Sequence, residues 1–143
     1  MTRFAGYAAI FDRPDSGGDI VRRGAFAKAR ADGTPVLWQH DPAQAIGWVE
    51  SLAEDANGLR VIADVQDAGA AARLKAGAGL SFGYRVRAAN HGKYRELKQL
   101  ELIEISLVTH PMQPLARVIA VETSSLEGEG SITPQGEPRW NMK

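Results

Sequence analysis

The chain of 143 residues contains no cysteine. Disulfides and thiolate chemistry are thereby excluded, and the absence is compatible with a reducing compartment. Net charge is missing too, because 17 Lys and Arg balance 17 Asp and Glu. A balanced chain offers no bulk attraction to nucleic acid or to a membrane surface, so neither is expected as a partner. No run approaches the roughly 20 apolar residues of a membrane span. The opening residues Met1 to Gly6 lack the apolar stretch of a signal peptide. A soluble cytoplasmic protein is expected. Histidine is scarce, with only His40, His91 and His110, and no H-E-x-x-H occurs. No metal and no other cofactor is expected. Internal repeats are absent. The length suits one domain with a real core.

What the chain does have is a series of short strands. Arg3 to Phe11 reads as a strand, ended by the turn-rich segment Asp12 to Asp19. Pro35 to His40 is a short strand. Ile46 to Glu54 and Leu59 to Val65 flank Asp55-Ala56-Asn57-Gly58, a hairpin signature with Asn-Gly in the turn. Gly79 to Ala88 and Lys93 to Lys98 flank a second turn at Asn90-His91-Gly92. Leu100 to Thr109 is a long strand closed by Pro111, and Arg117 to Glu122 is a last one. Two helices are expected. One spans Gly24 to Ala31; the other spans Ala68 to Ala78, with Asp67 as N-cap and Gly79 just past its end. The fold class expected is mainly β with flanking helices (α+β), in a closed or partly closed β-barrel. The barrel domain is expected over 1–123. Residues 124–143 are polar and glycine-rich, and are expected to form a flexible tail.

Three residues stand out chemically. Ser81 lies in Gly79-Leu80-Ser81-Phe82-Gly83, between two glycines on its own strand face. Glycine inside a strand often marks a close approach by a ligand or another backbone. The pattern clears space beside one hydroxyl; it also suits a β-bulge or barrel bend with an incidental serine. The G-x-S-x-G elbow of α/β-hydrolases needs a helix after the serine. Here Tyr84-Arg85-Val86 continues as strand. Glu104 sits mid-strand among Leu102, Ile103, Ile105, Leu107 and Val108. A carboxylate there costs several kcal/mol, order of magnitude, unless paired. Its partner is either an arginine in a structural ion pair or a catalytic group. His40 ends the strand Val36-Leu37-Trp38-Gln39, next to Asp41-Pro42. It is either a loop residue or a base. His91 sits in a polar turn, whereas His110, at another strand end, competes with His40. A hydroxyl, an imidazole and a carboxylate are the parts of a serine hydrolase.

The chain resembles the prohead (capsid-maturation) serine proteases of tailed phages and gene transfer agents. The resemblance is carried by Gly6-Tyr7-Ala8-Ala9-Ile10-Phe11-Asp12, Gly18-Asp19-Ile20-Val21 with Gly24-Ala25-Phe26, and Pro35 to Asp41 with Ile46-Gly47. It continues through Leu74-Lys75-Ala76-Gly77 into Gly79 to Tyr84. The final part is Glu104 to Thr109, with Pro111-Met112 and Ala116-Arg117. It implies a β-barrel similar to the herpesvirus capsid protease (assemblin) fold, with His40 as base and Ser81 as nucleophile. The third catalytic member falls in the segment holding Glu104, where assemblin-type enzymes carry a second histidine. It also implies a location inside the immature capsid, in the cytoplasm of a bacterial host. The substrate implied is the scaffolding segment of the major capsid protein, or a separate scaffold protein, often with self-cleavage. A homodimer is a further expected partner. Backbone N–H groups are the default oxyanion donors, with Arg117 as a side-chain candidate. The contrasting readings are a non-catalytic capsid assembly or scaffold module and a small serine esterase.

Overall fold

A computed structural model describes residues 2–123. Eight strands and one short helix occur in this span: β1 (Thr2–Ile10), β2 (Asp19–Val21), β3 (Pro35–Trp38), β4 (Asp41–Glu54), β5 (Gly58–Val65), α1 (Ala68–Arg73), β6 (Gly79–His91), β7 (Arg95–Val108) and β8 (Val118–Thr123). They form one sheet in the order β2-β7-β3-β4-β5-β1-β8, with β6 on the other side of β7. β2 and β3 run parallel to β7; the other pairings are antiparallel.

The expected mainly β architecture is present, but among the described residues the sheet ladder does not close into a barrel. The start of β6 approaches the segment leading into β8 at the isolated bridge Gly79–Arg117 and through nearby backbone hydrogen bonds. Leu80 N donates to Ala116 O at 2.9 Å, and Val118 N donates to Ala78 O at 2.8 Å. The core side of the sheet holds Phe4, Val36, Val61, Leu80, Leu97 and Ile105, all essentially removed from water. Each buried side chain of this size contributes about 1.5–3 kcal/mol.

Local chemistry accounts for several elements. Asp55 Oδ1 accepts from Asn57 N (2.8 Å) and Gly58 N (3.1 Å), which forms the expected hairpin turn. Gly58 is required for a different reason from its turn position: a Cβ there would overlap Ala9 O of β1. Asp67 caps α1 as expected, accepting from Ala70 N at 2.9 Å.

Neither helix keeps its expected length. α1 stops at Arg73, because the next residues give their backbone groups to β8, with Gly77 N donating to Val118 O at 2.8 Å. Gly24 to Ala31 forms three-residue turns, with Ala27 N on Gly24 O and Ala29 N on Phe26 O. Three interactions deny it an α-helical ladder. The Glu54 carboxylate accepts from Gly24 N and Phe26 N, Ala25 O is taken by Leu100 N, and Gly24 has φ +91°. The two strand candidates between Lys93 and Thr109 merge into one bulged β7. β2 is an addition to the expected strands. The expected tail, residues 124–143, lies outside the described residues.

Candidate active site

The site is built on the β6–β7 ladder. Ser81 pairs with Ser106, and Gly83 pairs with Glu104. Directly opposed residues share a face. So Ser81, Gly83, Glu104 and Ser106 lie on one side, with Leu80, Phe82, Ile105 and Leu107 on the other. Phe82 packs edge-on against Phe26 at 5.2 Å between ring centroids, which anchors the strand from the core side.

His40 reaches this face from the β3–β4 hairpin. Trp38 pairs with Asp41, leaving Gln39-His40 as a two-residue loop. Both loop residues are left-handed, with φ +52° and +61°. That is the pattern of a type I′ turn, normally filled by Asn and Gly. Such backbone is disfavoured for other residues and persists only where the surroundings hold it. Here β7 holds it. Gln39 N donates to Leu107 O at 2.9 Å. The Gln39 side chain exchanges two hydrogen bonds with Thr109, and His40 N donates to Ser106 Oγ at 3.1 Å.

This turn delivers His40 Nδ1 to Glu104 Oε1 at 2.5 Å. The other carboxylate oxygen, Oε2, accepts from Ser106 Oγ, also at 2.5 Å. Glu104 is buried, while the His40 side chain is 43 % exposed. The carboxylate therefore has both oxygens satisfied, and its cation-capable partner is His40. Among the described residues the ion-pair partner of Glu104 is His40 and not an arginine. With Nδ1 facing a carboxylate, the neutral imidazole carries its proton on Nδ1 and leaves Nε2 as the acceptor.

Ser81 is 6 % exposed. It makes no hydrogen bond with His40 among the described residues. Nor are the flanking glycines open space. A Cβ on Gly83 would overlap Glu104 Oε1, and one on Gly79 would sit 2.7 Å from Val108 O. Gly83 makes room for the acid itself. His110 is exposed, with Nδ1 on Thr109 Oγ1 at 3.1 Å, and takes no part in the Glu104 pair. His91 is exposed at the far end of β6, opposite Arg95. Arg117 donates Nε to Pro114 O and Nη1 to Gly77 O. Ser106 is a site residue that the sequence reading does not single out. Its signal was visible, since it lies two residues from Glu104 on the same strand face. Among the described residues, no group of three or more His, Cys, Asp or Glu is placed to hold a metal ion.

The family model described as "Caudovirus prohead serine protease" matches residues 1–129. The prohead protease of Enterobacteria phage HK97 is 33 % identical over 135 residues, covering 84 % of this chain. The chain spans 60 % of that relative's length. Among solved structures, KSHV protease in complex with a hexapeptide phosphonate inhibitor is similar in fold. Its TM-score is 0.57 at 11 % identity, over 86 % of this chain and 65 % of that one. Matched over residues 1–129, which include every described residue, the chain belongs to the caudovirus prohead serine protease family.

Proposed function

We propose that this chain is a serine endopeptidase of capsid maturation. Its site would be Ser81 as nucleophile, His40 as general base and Glu104 as the acid that orients His40. The observation that carries the reading is the His40–Glu104 pair, set on the sheet face that bears Ser81. A strained histidine turn, docked on β7 by Gln39 and Ser106, supports it. Such strain is characteristic of functional sites.

The steps follow from the tautomer. Ser81 Oγ attacks the scissile carbonyl carbon while His40 Nε2 takes its proton. The imidazolium is stabilised by Glu104 through Nδ1–H, with Ser106 holding the carboxylate in place. Collapse of the tetrahedral adduct expels the amine, which receives the proton from Nε2. A water then attacks the acyl-enzyme with the same base, and Ser81 is released. On this reading the Ser81–His40 hydrogen bond forms when substrate binds, as catalytic hydrogen bonds often tighten only in the reacting complex. The substrate on this reading is the scaffolding segment of the major capsid protein or a separate scaffold protein, with self-cleavage as a third target. Processing takes place inside the immature capsid, in the bacterial host.

The test is co-expression with capsid protein. Residues acting as a unit are strongly non-additive. Ser81→Ala, His40→Ala and the double variant should therefore all leave the same low residual processing. Near wild-type processing by Ser81→Ala would exclude this mechanism and favour a non-catalytic assembly module. Hydrolysis of simple esters with no cleavage of capsid protein or peptide would favour an esterase.

A further inference from the structure

The turn that carries His40 is one its own sequence does not favour. Gln39 and His40 both lie in the left-handed region, at φ +52° and +61°. Asn and Gly are the residues that fill such a two-residue loop without strain. Neither stands here, so the conformation has to be held from outside. Ser106 reaches the second loop residue, through His40 N at 3.1 Å. The first is held in a different way.

Gln39 binds the end of β7 at three points. Its backbone N donates to Leu107 O at 2.9 Å. Its side-chain Oε1 accepts from Thr109 N at 2.9 Å, and Nε2 donates to Thr109 Oγ1 at 3.1 Å. An amide held at one end can still swing; held at both, it is fixed in direction as well as distance. Gln39 is exposed and is bonded to neither Ser81 nor Glu104 among the described residues. What it joins is the loop of the base to the strand of the acid, since Thr109 follows directly on β7. The contact that depends on this joint is short, with His40 Nδ1 at 2.5 Å from Glu104 Oε1. A misplacement of about 1 Å in such a constellation can cost about a hundredfold in rate.

We propose that Gln39 is a positioning residue for His40, and that its side-chain amide, clamped on Thr109, sets the angle at which the base meets Glu104. The inference rests on the protease reading above. Asn would suit the turn better, but its side chain is one carbon short of the double contact with Thr109. Turn preference and positioning therefore make opposite demands at this residue, and they can be separated.

The experiment measures kcat, KM and melting temperature for full-chain Gln39→Asn, Gln39→Ala and Thr109→Val. The substrate is a peptide spanning the cleavage site mapped in co-expressed capsid protein. Gln39→Asn should melt close to the wild type, because its better turn preference offsets the lost bonds. Its kcat should nevertheless fall about tenfold to a hundredfold at unchanged KM, and Gln39→Ala should fall as far. Thr109→Val keeps the backbone bond to Oε1 and should lose less. In the Glu104→Gln background Gln39→Asn should cost little more, because residues acting through one pair are not additive. Wild-type kcat in Gln39→Asn would overturn the positioning role and leave the protease reading standing. So would a loss confined to KM, or a full further loss in the Glu104→Gln background. No cleavage of capsid protein by the wild type would overturn the protease reading, and the positioning role with it.

Discussion

Glu104 carries the sharpest constraint in the molecule. It is a buried carboxylate whose two oxygens are divided between His40 and Ser106. An amide in its place would present an N–H to one of these partners. Glu104→Gln should therefore fold, while kcat falls steeply. Acid-to-amide replacement in a serine protease triad costs about 10⁴-fold through the wrong imidazole tautomer. Retained turnover in a folded Glu104→Gln variant, with His110→Ala inactive, would reassign the acid's role. Gly83 tests the same pair from below. Its missing Cβ is the space that Glu104 occupies. Gly83→Ala should push the carboxylate off His40 and cost about 1–3 kcal/mol of stability, as overpacking generally does. Thermal unfolding and kcat measured together should both decline; an unaltered kcat would mean that the pair tolerates displacement.

At the scale of elements, the short strand β2 is tied to the start of β7 by a charged contact at its first residue. Arg95 donates two hydrogen bonds to Asp19, Nε to Oδ1 at 2.9 Å and Nη2 to Oδ2 at 2.7 Å. These bonds hold the Asp19 carboxyl below the usual aspartate range, outweighing the opposing effect of burial. A folded-state pKa lowered in this way stabilises the fold above the unfolded value near 4. That contribution is lost as pH falls through the lowered value. Asp19→Asn should thus melt below the wild type at neutral pH, with the gap closing in acid. A gap that stays constant with pH would show that the pair contributes through packing alone. Element geometry also explains His40. A hairpin loop of Gln and His is a poor turn by local preference, and it is stabilised by the end of β7.

Across the whole molecule, β7 is the organising strand. It receives β2 and β3 on one side and β6 on the other, so residues distant in sequence converge along it. The open sheet leaves β8 as the last described strand, ending at Thr123. We propose that the domain boundary lies there. A chain ending at Thr123 should melt within a few degrees of the full chain. Incubated wild-type protein should show C-terminal trimming that is absent from Ser81→Ala. A large fall in melting temperature on truncation would place the boundary further on. Identical trimming in Ser81→Ala would assign the cutting to another protease.

By itself the sequence determined the features that act over a few residues. These are the Asp67 cap, the Asp55–Gly58 turn, most strand centres, and the demand of Glu104 for a partner. Each follows from a side chain bonding its own neighbourhood, or from alternation along one strand. It also placed Ser81 and Glu104 on defined strand faces, which left their meeting with His40 open. Only the tertiary structure decided that His40, 64 residues from Glu104, is the partner of that acid. The same holds for the fate of Gly24 to Ala31 and of residues 74–78. Their backbone groups are claimed by Glu54, β7 and β8, contacts whose geometry no local pattern encodes. Long-range hydrogen bonds overrode helix propensity at these places. The flanking glycines of Ser81 teach the same lesson. Their need for space was legible, but only the folded sheet showed that Glu104, Val108 and Pro111 occupy it.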